Sequence, residues 1–323
     1  MSIYRGNDGD DADRVDETKE RERHQWWNVD ADDGEDIAGA VFSYVSGLDS
    51  WQRMRRSINA ENAAAYWGKG VYGLGADPRT IGSFVAGNGA QYTITENGIA
   101  SVVQTAVALI ATNRPKPVFL TEGEGWAKQR QAKQLGHFTL GVYDKLELYP
   151  MGTRIFRDAC IFGDGIVKVY AEPKGQLPCV ERVLSDDIIV DEQEARDCPP
   201  RQMHQRRWVD RGVLARLYPD HAVEIWRADS SGVRRHATRA ASNMIELLES
   251  WHLPSEEDAD DGVYAVCVSG RCLHRSAYKK DYFPFVVYSW DKPITGFYGQ
   301  GVVEPLTLLQ LDLNGINKFI RRC

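Results

Sequence analysis

The sequence predicts an α+β protein. Long stretches place apolar residues at three- and four-residue steps, the signature of helices packed on one face. Shorter β-branched runs, bounded by glycine, proline or acidic turns, mark strands. The helical pattern dominates before residue 162 and after residue 301, and the strand pattern fills the middle. With 323 residues, 43% of them hydrophobic, the chain can hold a sizeable core and about two domains. Composition divides it into an acidic arm over residues 1–35, a helical region over 36–120, an α/β region over 121–300 and a helix over 301–323.

Residues 1–30 are charged and poor in apolar side chains, so a mobile arm is expected, with Trp26 and Trp27 as its one docking element. From Asp36, the residues Ile37, Val41, Tyr44, Val45, Leu48, Trp51, Met54 and Ile58 keep a helical step. The glycine loop over 68–75 lacks the spacing and the Ser or Thr of a phosphate-binding P-loop. Thr95 is placed to cap a helix from Asn97 to about Ala111. Arg114-Pro115-Lys116-Pro117 ends that helix and forces an extended run. A longer helix is expected from about Glu124 to Leu148. Trp126, Leu135, Phe138, Val142 and Leu146 line one side of it. Lys128, Arg130 and Lys133 form a basic cluster that reads as a solvated face or a phosphate contact. Met151–Phe162 reads as a short helix, stopped by Gly163-Asp164-Gly165, which turn the chain into a strand at Ile166–Tyr170.

Val183–Asp191 is strand-like, and Gln202–Trp208 leads to a short helix, Arg211–Leu217, with Asp210 as its cap. Val223–Trp226, Leu247–Leu253 and Val263–Val268 read as strands of a mixed sheet, the last joined through Ser269-Gly270 to Cys272-Leu273 in a hairpin. The polar stretches 229–241 and 254–262 read as loops. An apolar strand, Phe283–Trp290, runs into a loop punctuated by Gly296, Gly299 and Gly301.

The last helix carries two stripes. Val302, Leu306, Leu309, Leu313, Ile316 and Ile320 form the apolar one. Gln310, Asn314, Asn317 and Arg321 repeat the same step one residue later. Pro305 falls in the first turn, where a missing N–H costs nothing. The pattern fits an ordinary core helix with a wet side, or a helix whose amide side meets a neighbour.

Charge is unevenly placed. Residues 1–36 hold 13 acidic and 5 basic side chains, or −8, while the whole chain carries −7, leaving a body of +1. A near-neutral body argues against a nucleic-acid binder with one large basic face. No apolar run is long enough to cross a bilayer, and the acidic first residues do not form a signal peptide. The six cysteines include no CxxC pair and are expected to be reduced thiols in a cytosol-type compartment. The seven histidines form no HExxH motif, and there is no GxSxG elbow. His252 is expected to be a structural, hydrogen-bonded histidine. Asp186, Asp187 and Asp191 cluster as a divalent-metal site for a nuclease or phosphotransferase would, or as a surface strand entering an acidic loop does. No catalytic residue, cofactor or metal site is assigned from these patterns, and an enzyme is not expected.

The ordered series Trp251-His252-Leu253-Pro254, Asp261-Gly262, Phe283-Pro284-Phe285, Trp290, Gly296-Phe297-Tyr298-Gly299-Gln300-Gly301 and Val303-Glu304-Pro305-Leu306 resembles the portal (head–tail connector) proteins of short-tailed bacteriophages. Ser185-Asp186-Asp187 with Asp191, and the arginine-rich segment before Tyr218-Pro219, resemble that family's wing. The resemblance runs from about Asp36 to the end. It implies a helical N-terminal part, a wing-like α/β domain and the start of a long stem helix, and it makes the chain similar to the N-terminal part of such a protein, without a counterpart of the clip, returning stem helix, tunnel loop and crown.

It further implies a dodecameric ring at one capsid vertex, with double-stranded DNA passing through weakly and non-specifically, and terminase, tail or adaptor proteins and capsid or scaffold proteins as partners. The expected location is the virion, with host cytoplasm during assembly and no membrane. On that reading Gln310, Asn314 and Asn317 are the candidate subunit-contact residues. Lys318, Arg321 and Arg322 are the candidate DNA-proximal ones. A soluble adaptor whose acidic arm binds a basic partner is a further reading.

Overall fold

The computed structural model describes residues 25–29, 34–67, 97–121, 125–171, 178–228, 243–256 and 259–320. Among the described residues, four helices come first: α1 Gly34–Trp67, α2 Gly98–Thr112, α3 Trp126–Lys145 and α4 Leu148–Phe162. Strands β1 Asp164–Ala171, β2 Pro178–Val183, β3 Ile188–Ile189 and β4 Gln202–Asp210 follow. Short helices α5 Arg211–Leu217 and α6 Ala222–Arg227 precede β5 Met244–His252, β6 Val263–Val268, β7 Arg271–Ala277 and β8 Phe285–Ser289. The last described element is α7, Val303–Ile320. Helices are combined with antiparallel sheets, so the protein is α+β. Among the described residues every strand pairing is antiparallel, in place of the mixed sheet expected.

The chain divides into two compact units. One holds Met1–Arg53 and Asp187–Phe283, the other Met54–Asp186 and Pro284–Cys323. Neither is a contiguous block, unlike the stretches marked by composition. Composition follows the chain, whereas the units follow long-range contacts.

The first unit is built on the five-stranded sheet β3-β4-β5-β6-β7. Its strands are buried on both faces. Ala265 and Cys267 point with Leu248 into a cluster with Trp26, Ile37, Val41 and Val45. The alternate residues Val266 and Val268 join Ile245, Leu247, Leu273, Leu214 and Ile225 in a second cluster. That two-residue alternation is the pleat dividing one strand between two cores. Trp26, the docking element expected in the arm, is fully buried, and its indole N–H donates to Gln202 Oε1 at 3.0 Å. Arg275 donates to the carbonyls of Trp27 (2.8 Å) and Val29 (2.5 Å). Burying one large apolar side chain contributes about 1.5–3 kcal/mol, enough to seat this short segment.

The second unit joins α2, α3, α4 and α7 to the three-stranded sheet β2-β1-β8. Ala63, Ile99, Val103, Val107, Phe156, Cys160, Ile161 and Val303 form its core. Asn97, not Thr95, caps α2: its side chain accepts from Ala100 N–H at 2.9 Å. Thr95, the 68–75 loop and the 229–241 loop lie outside the described residues. The long helix expected to reach Leu148 stops at Lys145, because Glu147 takes a left-handed backbone (φ 51°) before α4 begins.

Two other expectations change. Val183–Asp191 is not one strand. It holds a 3₁₀ turn, Ser185–Asp187, and only a two-residue strand. Val223–Trp226 is part of helix α6. Arg211 donates to the carbonyls of Ile225 (2.6 Å), Trp226 (3.1 Å) and Ala228 (2.7 Å), satisfying the C-terminal groups of a helix too short to satisfy its own. Asp210 caps α5 as expected, accepting from Gly212 and Val213 N–H.

Gly163 stops α4 at φ 94°, and a Cβ there would lie 2.1 Å from the carbonyl oxygen of Gly299. Gly270 shares the left-handed backbone (φ 84°) but has open space where its Cβ would go. Gly163→Ala should therefore destabilise the protein by about 3 kcal/mol or more, and Gly270→Ala by about 1–2 kcal/mol, in urea unfolding followed by circular dichroism.

Candidate functional site

The glycine loop before α7 is fastened to the start of β1 by one carboxylate. Asp164 is fully buried. Its Oδ1 accepts from Ser289 Oγ at 2.7 Å, and its Oδ2 from Gly299 N–H at 2.9 Å. Arg55 Nη2 completes an ion pair with Oδ2 at 3.1 Å. The same guanidinium lies 3.6 Å from the Tyr298 ring centroid, a cation–π contact. Trp290 N–H donates to the Gly163 carbonyl at 2.9 Å, and Asp291 pairs with Gln300 across the loop. The chain packs so closely that a Cβ on Gly299 or Gly301 would meet backbone oxygens at 2.5 and 2.7 Å. Gly163-Asp164-Gly165 is thus a helix stop followed directly by a strand.

This anchorage sets the faces of α7. Val303 and Thr307 are buried. Gln310 follows on the same side, and its Oε1 accepts from Gly98 N–H (2.9 Å) and Ile99 N–H (3.4 Å), so it serves the open amides at the N-terminus of α2. Gln310 Nε2 donates to Asn314 Oδ1 at 3.0 Å. Asn314 and Asn317 are half-buried. Leu309, Leu313, Ile316 and Ile320, expected to pack inward, are exposed, as are Leu308 and Phe319. The amide stripe takes the inner side because α2 presents unpaired N–H groups there, and only an acceptor can satisfy them. Lys318 lies in the last turns of α7, and Arg321 and Arg322 lie outside the described residues.

More apolar surface is open on α2 and α3. Val102, Leu109 and Ile110 are exposed on α2. No residue of α3 is buried, and Trp126 (73% exposed), Leu135 and Phe138 (63%) stand open beside Lys128, Arg130 and Lys133.

Asp186 and Asp187 lie in the 3₁₀ turn Ser185–Asp187, and Asp191 follows the two-residue strand β3. Asp186 Oδ1 accepts from Asn59 Nδ2, and burial raises its carboxyl above the usual range. Asp191 Oδ1 accepts from Gln193 N–H (2.8 Å) and Glu194 N–H (3.4 Å), a local turn. Among the described residues no three His, Cys, Asp or Glu side chains are grouped to hold a metal ion.

In the first unit His252 and His204 are held by hydrogen bonds and ring contacts. His252 Nδ1 lies 3.2 Å from the Asp261 carbonyl, and its ring stacks on Trp27 at 4.3 Å. His204 is fully buried, with Nδ1 2.8 Å from Ser250 Oγ and the Trp26 ring edge-on at 5.6 Å. The His204–Ser250 and His252–Trp27 contacts have no local sequence signal, since they join residues far apart in the chain. Among the described residues no helix is long and apolar enough to cross a membrane.

The chain matches no protein-family model and no curated protein.

Two outcomes follow from these geometries. Removing the Asp164 carboxylate strands the Arg55 guanidinium and the Gly299 amide, so Asp164→Ala should lower stability by about 3 kcal/mol or more in urea unfolding. Burial drives His204 down to about 3, so the unfolded chain binds a proton there below about pH 6.5 that the folded chain refuses. Stability from this group is complete above that pH and is lost as pH falls toward 3. Between pH 7 and 5 the loss should be about 2 kcal/mol, read as a shift in urea midpoint that His204→Gln reduces.

Proposed function

We propose that this chain is a structural subunit of a phage portal ring, the head–tail connector through which viral DNA enters and leaves a capsid. The observation that carries the proposal is the outward apolar stripe Leu309, Leu313, Ile316 and Ile320 on α7, displayed by a helix whose other side is fixed within its own unit. Exposed apolar surface of this extent marks a protein contact. A ring closed by rotation needs two different patches on each subunit, one for each neighbour. The exposed faces of α3 and α7 supply two such patches on one unit.

On this reading the subunit contact centres on the leucine and isoleucine stripe, while Gln310, Asn314 and Asn317 brace it from behind. A channel for sliding DNA gains nothing from tight phosphate contacts, because each adds affinity and salt dependence. The near-neutral body fits that demand, with Lys318, Arg321 and Arg322 as the residues proposed nearest the DNA. Terminase, tail and capsid proteins are the partners such a ring requires, and the portal vertex of the virion is its proposed place.

Analytical ultracentrifugation tests the proposal. The chain should sediment as one closed oligomer of ring size. The double variant Leu313→Glu/Ile316→Glu should sediment as a monomer with an unchanged circular dichroism spectrum. A wild-type chain that stays monomeric at high concentration overturns the reading.

A further inference from the structure

We propose that Cys267 and Cys272 are a redox-active pair that closes reversibly into a disulfide across the β6–β7 hairpin. The two residues face each other directly, one position in from the Ser269-Gly270 turn. Both are free thiols and both belong to the apolar cluster that seats Trp26. Opposed residues on an antiparallel pair hold their Cβ atoms about 4.5–5.5 Å apart, and a disulfide needs about 3.5–4.5 Å. The difference is small, and β7 is free to supply it. It is an edge strand with a single neighbour, and its ladder shifts register between Val266 and Cys267, next to the pair.

The Cys272 S–H donates to the His274 carbonyl at 3.3 Å, and the facing Cys267 sulfur holds the Cys272 thiol down to about 7 while the Cys267 thiol is raised. The Arg275 cation also favours the Cys272 thiolate. An attacking thiol works best with a pKa near that of its surroundings, so the roles divide. Cys272, slightly exposed, attacks; Cys267, fully buried, resolves. Cys160 is the contrast: burial pushes its thiol up to about 11.

The oxidant is a small disulfide such as oxidised glutathione. The Cys272 thiolate attacks one of its sulfurs, forming a mixed disulfide and releasing one glutathione thiolate. The Cys267 thiol then gives its proton to solvent, and its sulfur attacks Cys272 and displaces the second glutathione. Two protein thiols are oxidised to one disulfide, and one glutathione disulfide is reduced to two thiols. Closure clamps the edge strand from which Arg275 holds the carbonyls of Trp27 and Val29, so the redox state acts on the seat of the tryptophan segment. This inference does not depend on the portal reading.

The test equilibrates the whole chain in glutathione buffers of graded redox ratio, blocks free thiols by alkylation and maps the peptides by mass spectrometry. The expected product is a single internal bridge between Cys267 and Cys272, reversed by dithiothreitol. In Cys267→Ser, glutathione should be trapped on Cys272. In Cys272→Ser, glutathione should reach Cys267 at least about tenfold more slowly. The proposal is overturned if both residues are still alkylated in the most oxidising buffer, or if either bridges to another cysteine instead. Should a serine variant fail to fold, the wild-type map alone decides between these results.

Discussion

A single buried carboxylate organises the second unit. Taking Asp164 out of water costs several kcal/mol unless its oxygens are paired and hydrogen-bonded. Arg55, Ser289 and the Gly299 amide meet that demand together, and in doing so they bring three distant stretches of chain to one point. The glycines around them have to be glycines because backbone oxygens occupy the space a side chain would need. The start of α7 hangs from this junction, with Val303 entering the core two residues after Gly301. The direction in which α7 shows its leucines is therefore fixed some distance away from them.

Val302 and Leu306 pack on the core, but from Leu309 onward the two sides of α7 have exchanged the roles that hydrophobicity alone would give them. Thr307 and Gln310 lie toward α2, and a row of leucines and isoleucines lies toward water. Each such side chain left exposed forgoes about 1.5–3 kcal/mol of burial. The open helix-end amides of α2 explain why an acceptor is preferred inside. A covering chain would recover what the outer face forgoes, which is why this surface, more than any cluster of titratable groups, supports the proposed ring.

Much of the architecture was legible in the sequence because local rules decided it. The Asp210 cap, the Gly163 stop and the β6–β7 hairpin each follow from a few neighbouring residues. The errors came where distant partners decide. Val223–Trp226 has the β-branched and aromatic residues of a strand, yet Arg211 holds its carbonyls in a helix. That Trp26 would dock was legible, but its seat on Gln202, Arg275 and the sheet was not, since those partners lie far along the chain. The periodicity of α7 correctly gave two stripes, but periodicity carries no information on which stripe faces inward. Gln310 shows the same limit, since its partners Gly98 and Ile99 lie more than two hundred residues earlier.

The interleaving of the two units bears on how the chain comes off the ribosome. Trp26 waits for Gln202, 176 residues later, and Gly98 waits for Gln310, 212 residues later. At about 5–20 residues per second, the early helices spend roughly ten seconds or more without the strands and helix that complete their cores. Neither half can be finished by an N-terminal nascent fragment. The open apolar edges of the growing polypeptide thus create a window in which a holding chaperone, or crowding by other nascent copies, decides between correct closure and aggregation.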